Sequence, residues 1–337
     1  MNKKRIIISA IIFLLILMVF PVFDGGKVYQ KRTGNTKEIY NKEGEGNIVI
    51  GVSLPDEDSY YIKEICSRMK KRAAEEKVEL QVEYADWNVE TQSRQLQNFV
   101  KKGVDVIILC PVNAKSMLMS LKEIEKSEIP VINLNMRVDA VSSIYVDSYI
   151  GANNSEEAAM AAEMIKEMLG EEGGDIAIIE GAPGSDTQIY RTQTFVERMA
   201  SSPEIQIVGI GNGEWNREKA GLVAYDLITK NPGLKAIYCH DSEMAMGAIE
   251  TIESLEISGE VQVIGISEKT EFIEAVKDGR LYGFISQPSD FEANTCIEKA
   301  IDAAKGKKLR TWYKDPIEAV TKQNIESFEK EYTEMKK

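Results

Sequence analysis

From Asn47 onward, short apolar runs alternate with stretches whose apolar residues return every three or four positions. NIVIGVS at Asn47 precedes Tyr61, Ile62, Ile65, Cys66, Met69 and Ala73, which share one helical face. VELQVEYA at Val78 is the next strand, and Asn88 can cap a helix carrying Leu96, Phe99 and Val100. VDVIILC follows Gly103, Met117, Leu118 and Leu121 mark a helix, and IPVINLN at Ile129 repeats the strand. Past Ile150-Gly151 the rhythm restarts: Asn154 with Glu157 reads as a capping arrangement, and Ala158, Ala162, Ile165 and Leu169 form a face. Strands at Asp175, Ile205, Leu234, Val261 and Gly283 then alternate with helices around 191–199, 218–229, 242–255, 270–276 and 291–304. Pro316 to Thr321 reads as a short strand before a polar terminal helix. The expected fold is α/β: two doubly wound, parallel-sheet lobes.

The start of the chain does not follow this rhythm. Lys3, Lys4 and Arg5 precede an apolar run from Ile6 to Phe23 of about bilayer-spanning length. Bulky Val19 to Phe23 offer no small-residue cleavage site, and no cysteine follows for lipidation, so 1–23 reads as an anchor in preference to a cleaved signal. Residues 24–46 are polar and aperiodic, a solvated tether. Among all 337 residues, 43% are hydrophobic and 28% charged, which excludes wholesale disorder and small disulfide scaffolds. A net charge of −13 without a basic stripe argues against nucleic acid. Cys66, Cys110, Cys239 and Cys296 lack metal-ligand spacing and read as buried thiols, so neither a metal nor a cofactor is expected. His240, the single histidine, reads as a strand-end residue.

Ligands of doubly wound sheets bind beyond the carboxyl ends of the strands, where helix N-termini and loops converge. The residues there include Tyr60 and Tyr61, Asn135 and Arg137, Arg191, Trp215, Asp241, Ser267 and Gln287. Flat rings beside amides, carboxylates and guanidinium groups suit a polyhydroxylated ligand, whose C–H faces stack while its hydroxyls bond. Asp86-Trp87-Asn88 reads as helix cap and rim. GAPGSD at Gly181 lacks the G-K-[ST] ending of a nucleotide loop. Met117, Met119, Met160, Met164 and Met168 have helical spacing within each group and read as core.

Six segments in order, GVDVIILCPVNAKSM, IPVINLNMRV, IGANNSEEAAMAAEMI, IIEGAPGSDTQIYRTQTF, CHDSEMAMGAIETIE and VIGISEKTEFIEAVKDGRLYGFISQ, make the chain from Asn47 to about Thr321 resemble the type I periplasmic sugar-binding proteins of the ribose-binding kind. The resemblance implies two lobes joined by three crossing strands, near Ser148–Asn153, Ser286–Pro288 and Trp312–Ile317. It places 47–148 plus 287–314 in one lobe and 149–286 plus 315–337 in the other. It also implies ring-stacking roles for Tyr60, Tyr61 and Trp215, and hydroxyl-binding roles for Arg191, Asp241, Gln287 and Asn135. Asn135-Met136 stands where the family has Asp-Arg, with Arg137 next door, and Ser267 stands where an Asp is usual, so an unmodified pentose is a poor fit.

The function that follows is an extracytoplasmic solute-binding protein that closes on a sugar or sugar-like ligand and delivers it to an ABC importer. The alternative is a membrane-tethered sensor subunit signalling to a histidine kinase or chemoreceptor. Enzyme chemistry would rest on Asp56/Glu57 or Asp241/Glu243, whose better-explained work is holding hydroxyls. A transcription regulator would need a DNA-binding helix pair where this chain has its apolar run. Trp215→Ala and Arg191→Ala are both expected to weaken binding without lowering the melting temperature of the ligand-free protein.

Overall fold

A computed structural model describes residues 47–335; the run at 6–23 and the tether at 24–46 lie outside the described residues. The chain runs β1 (Val49–Leu54), α1 (Tyr60–Glu76), β2 (Glu79–Tyr84), α2 (Val89–Lys102), β3 (Val106–Leu109), α3 (Leu118–Ser127), β4 (Val131–Leu134) and β5 (Ser148–Gly151). A second series follows: α4 (Asn154–Leu169), β6 (Gly174–Glu180), α5 (Asp186–Met199), β7 (Ile205–Asn212), α6 (Arg217–Lys230), β8 (Leu234–Cys239), α7 (Ser242–Ser254), β9 (Gln262–Ile266), α8 (Thr270–Asp278) and β10 (Gly283–Ile285). The chain ends with α9 (Ser289–Ala304), β11 (Trp312–Lys314), β12 (Ala319–Thr321) and α10 (Ile325–Met335). Among the described residues, no helix is long and apolar enough to cross a membrane.

The strands form two six-stranded sheets, β11-β5-β4-β3-β1-β2 and β12-β10-β9-β8-β6-β7. The central strands of each are buried on both faces, as their near-continuous apolar runs require. In the first sheet, Ile50, Val52, Val106 and Ile108 face α1 and α9, while Ile107, Leu109 and Val131 face α2 and α3. In the second, Ile176 and Ile178 pack under Ala158, Ile165 and Phe195 of α4 and α5. Ala177 and Ile179 meet α6 and α7 on the other side. All strand pairs are parallel except β10 with β12, which is antiparallel. The exception follows from the route. β11 runs towards the junction, and residues 315–318 carry the chain straight into the second sheet from its carboxyl edge, so β12 must run backwards.

The chain passes between the sheets at 152–153, 286–288 and 315–318. Four helices of the second sheet begin at capping residues on its carboxyl edge. Asn153, Ser185, Asn216 and Asp241 each accept a backbone N–H from the first turn of α4, α5, α6 and α7. The cap of α4 is therefore Asn153, not Asn154, and Glu157 turns inward. Likewise α5 starts at Asp186, so Arg191 lies one turn and more inside it. Of the methionines read as core, Met117 and Met164 are buried, Met160 and Met168 pack at the margin, and Met119 is exposed. All four cysteines are free and buried.

Candidate functional site

The carboxyl edges of the two sheets face one another across a slot. It holds about 450 Å³ of empty space, part of it open to solvent. One wall presents Ser59, Tyr61 and Ile62 from the start of α1, with Asn135 and Met136 from the end of β4. The other presents Thr187, Arg191, Trp215, Asp241, Ile266 and Ser267, and Gln287 lies on the second crossing at the hinge. Contacts close the two sides together: the Ala114 N–H donates to the Gly184 carbonyl at 3.1 Å, and the Arg137 N–H to Asp186 Oδ1 at 2.7 Å. Gly184 has φ +85°, a conformation that favours glycine, and a Cβ there would also displace the Asn113 amide.

Trp215 reaches the slot from a tight turn. Glu214 and Trp215 adopt positive φ of 51° and 62°, and the Glu214 N–H donates to Asn212 Oδ1 at 3.1 Å. Asn212 Nδ2 in turn donates to the Gly181 carbonyl at 2.8 Å. The indole lies on Gly181, where a Cβ would be 1.9 Å from the ring. Its Nε1–H is buried and has no partner in the protein. Ser267, at φ 152° beyond β9, presents a buried hydroxyl that likewise has no partner in the protein. Orphaned polar groups of this kind cost about 1–3 kcal/mol each unless a ligand completes them.

Arg191 is buried, and its fork is almost saturated. Nε and Nη2 donate to Glu157 Oε2 at 3.1 and 2.8 Å, Nη2 also donates to Gln287 Oε1 at 3.2 Å, and Nη1 donates to the His240 carbonyl. With five N–H groups in all, one remains for a ligand. Burial pushes the Glu157 carboxyl up, and Arg191 opposes that shift. Asp241 caps α7 through Oδ1, accepting the Met244 N–H at 2.9 Å, which leaves Oδ2 for the slot. Burial pushes its carboxyl up to about 7. Buried His240, at the end of β8, is held neutral by desolvation and by Arg191. The slot thus offers stacking faces, one guanidinium N–H, an indole N–H, a hydroxyl, amides and one carboxylate.

Seven of the nine candidates from sequence line this slot: Tyr61, Asn135, Arg191, Trp215, Asp241, Ser267 and Gln287. Tyr60 and Arg137 are not on its wall. Adjacent residues of α1 point apart, and Tyr60 faces Lys269, whose ammonium lies 4.2 Å from its ring centroid. Arg137 is sandwiched between Tyr149 and Trp312, 4.2 Å from each ring centroid. Of the carboxylates considered for catalysis, Asp241 lines the slot, whereas Asp56 and Glu243 are engaged elsewhere. Asp56 accepts the N–H groups of Asp58 and Ser59 at 2.8 and 2.6 Å, and Glu243 pairs with Arg217 at 3.0 Å and Lys269 at 2.5 Å.

Sequence reasoning missed the buried acids behind the wall. Glu157 is fully buried against Arg191. Glu292 is fully buried in the first turn of α9 and accepts Asn135 Nδ2 at 3.0 and 3.1 Å and Gln287 Nε2 at 3.4 Å. Their signal was present: Glu292 falls four residues before Cys296 on the apolar stripe of its helix, and Glu157 four before Ala161 on its own. A carboxylate on such a stripe must find a partner inside.

The profile described as "Periplasmic binding protein domain" matches residues 50–308. The D-allose-binding periplasmic protein of Escherichia coli (strain K12) is 27% identical over 230 residues, 67% of this chain and 74% of that protein. The ribose import binding protein of Bacillus subtilis (strain 168) is 22% identical over 320 residues, 95% of this chain and 99% of that one. Among solved structures, an ABC transporter solute binding protein from Bacillus halodurans C-125 with bound myo-inositol superposes with a TM-score of 0.80 at 26% identity, covering 85% of this chain and 99% of that one. A matched span of this length, two parallel sheets joined by three crossings and a slot between their carboxyl edges place the chain in the periplasmic binding protein domain family, in its type I fold.

Proposed function

We propose that the protein is an extracytoplasmic solute-binding protein that captures a sugar or cyclic polyol between its sheets and hands it to an ABC importer. The observation that carries this reading is the slot itself. Two aromatic faces, Tyr61 and Trp215, converge from opposite sides on a hinge-borne set of hydroxyl-matching groups, and two buried polar atoms there have no partner in the protein. The relatives named for D-allose and ribose, and the structure holding myo-inositol, support the same ligand chemistry. Closure on the ligand follows from the layout, since wall residues on both sides reach one solute and the crossings between them are short.

A thermal-shift screen of the chain with D-allose, D-ribose, myo-inositol, amino sugars and amino acids tests it. A ligand of the folded state alone raises stability by RT ln(1 + [L]/Kd), about 4 kcal/mol at a thousandfold excess over Kd. A shift with a sugar or polyol that disappears in Trp215→Ala is expected. A shift with amino acids only would overturn the ligand class. A second reading, a sensor subunit docking on a histidine kinase or chemoreceptor, is favoured by the uncleaved anchor read at Ile6–Phe23. Ligand-dependent stimulation of ATP hydrolysis by the reconstituted importer separates the two.

A further inference from the structure

Outside the slot wall, a side-chain contact joins the two halves of the molecule. Tyr60 opens α1 in the half built on the first sheet, and its ring meets the ammonium of Lys269, which follows β9 of the second sheet, 4.2 Å from the centroid. Lys269 is 8% exposed, and its own half holds it in place. Its Nζ lies 2.5 Å from Glu243 Oε1 in α7 and 2.8 Å from Glu271 Oε2 in α8. Both carboxylates also accept from Arg217 at the start of α6, at 3.0 and 2.7 Å. Two carboxylates leave one of three ammonium N–H groups for a ring face. A cation so far removed from water binds an aromatic face more strongly than an exposed one does.

We propose that Tyr60 and Lys269 form a latch: off the slot wall themselves, they hold the two halves closed over the slot and so set how long a ligand stays. The inference rests on reading the slot as the ligand site. Tyr60 adjoins Tyr61, and Lys269 stands two residues past Ser267, both on the wall, so the latch closes beside the groups that would hold the solute. Parting the two carboxyl edges must draw the ring off the ammonium, because opposite halves carry them. Lys269 keeps its carboxylates throughout, since they move with it. The ring contact therefore stabilises the closed arrangement and adds nothing to an open one.

The pair can be removed without unpairing a buried charge. In Lys269→Met the apolar stem stays, and Arg217 still holds Glu243 and Glu271. Tyr60→Leu takes away only the ring, and Tyr60→Phe keeps it. The Ala114–Gly184 and Arg137–Asp186 contacts across the slot use backbone N–H donors and remain in all three variants.

Two measurements on the full chain test this. Spin labels at Glu57→Cys, in the loop after β1, and Glu274→Cys, in α8, sit on exposed positions of opposite halves, and the four native cysteines are buried. Without ligand, electron spin distance measurements should show a closed population that shrinks in Tyr60→Leu and in Lys269→Met but not in Tyr60→Phe. With D-allose and myo-inositol as probes, Kd should rise about tenfold in Tyr60→Leu and in Lys269→Met, chiefly through faster dissociation. The double variant should be little worse than either single one, as a shared contact requires. Equal distance distributions in the parent and both variants overturn the latch. Fully additive losses of affinity overturn the pairing, and an altered distance with unchanged dissociation overturns the link to ligand retention. If neither probe binds the parent, the sugar reading fails, and the ligand-free distances still decide on the latch.

Discussion

Gly181 shows how far single residues shape the slot, since the space a side chain would take is occupied by the Trp215 ring. Gly181→Ala should displace the indole, cost about 1–3 kcal/mol in chemical denaturation through overpacking, and weaken sugar binding more than tenfold. Arg191 changes what its own substitution should do. On sequence alone it was expected to be dispensable for stability, but its guanidinium is the partner of fully buried Glu157. Arg191→Ala should therefore destabilise the ligand-free protein by roughly 3–5 kcal/mol, the cost of leaving a buried carboxylate alone. Trp215→Ala, which leaves no charge stranded, keeps the original expectation of lost binding, and differential scanning calorimetry of both variants checks the contrast. Most of the wall was legible because strand-end positions follow from period. Tyr60 and Arg137 fall off the slot wall because neighbours on one turn, or on one loop, can face opposite ways. The burial of Asp315 was not legible because it follows from where the third crossing runs, which no local pattern marks.

At the scale of elements, the alternation of apolar runs with helical stripes located nearly all strands and helices, since the central strands of both sheets are buried on both faces and admit little else. The direction of β12 was not legible. It depends on where the third crossing enters the second sheet, which no local pattern encodes. The outer strands differ in a way that sequence alone also hid. β2, the edge of the first sheet, carries Glu79 and Glu83, whereas β7, the edge of the second, is uncharged and exposes Val208 and Ile210. Uncharged edges invite pairing with other chains. Val208→Lys should raise the onset temperature of aggregation in light scattering while changing the unfolding midpoint little.

For the whole molecule, the buried acids set the pH range of stability. Glu292 and Asp241, held up to about 7, and Asp186, held up to about 6, all chiefly by burial, bind protons more tightly folded than unfolded. Their contribution is complete below the unfolded carboxyl range and is lost as pH rises through about 6 to 7. Glu271, held down to about 2 by Arg217, and Glu243, held down by Arg217 and Lys269, act in reverse, and their contribution disappears as pH falls below about 4. The ligand-free melting temperature should peak between about pH 4 and pH 5 and be lower at about pH 8, as a calorimetric pH series would show.

The threefold passage between the sheets also sets an order of assembly. The first sheet waits for Trp312–Lys314, made after every strand of the second sheet but β12, and the second waits in turn for Ala319–Thr321. Neither half can finish before residues 312–321 have been made. Contacts this distant in sequence make slow folders, so the nascent polypeptide stays pliable until its third crossing has been made, a state in which it can still be threaded through a narrow pore.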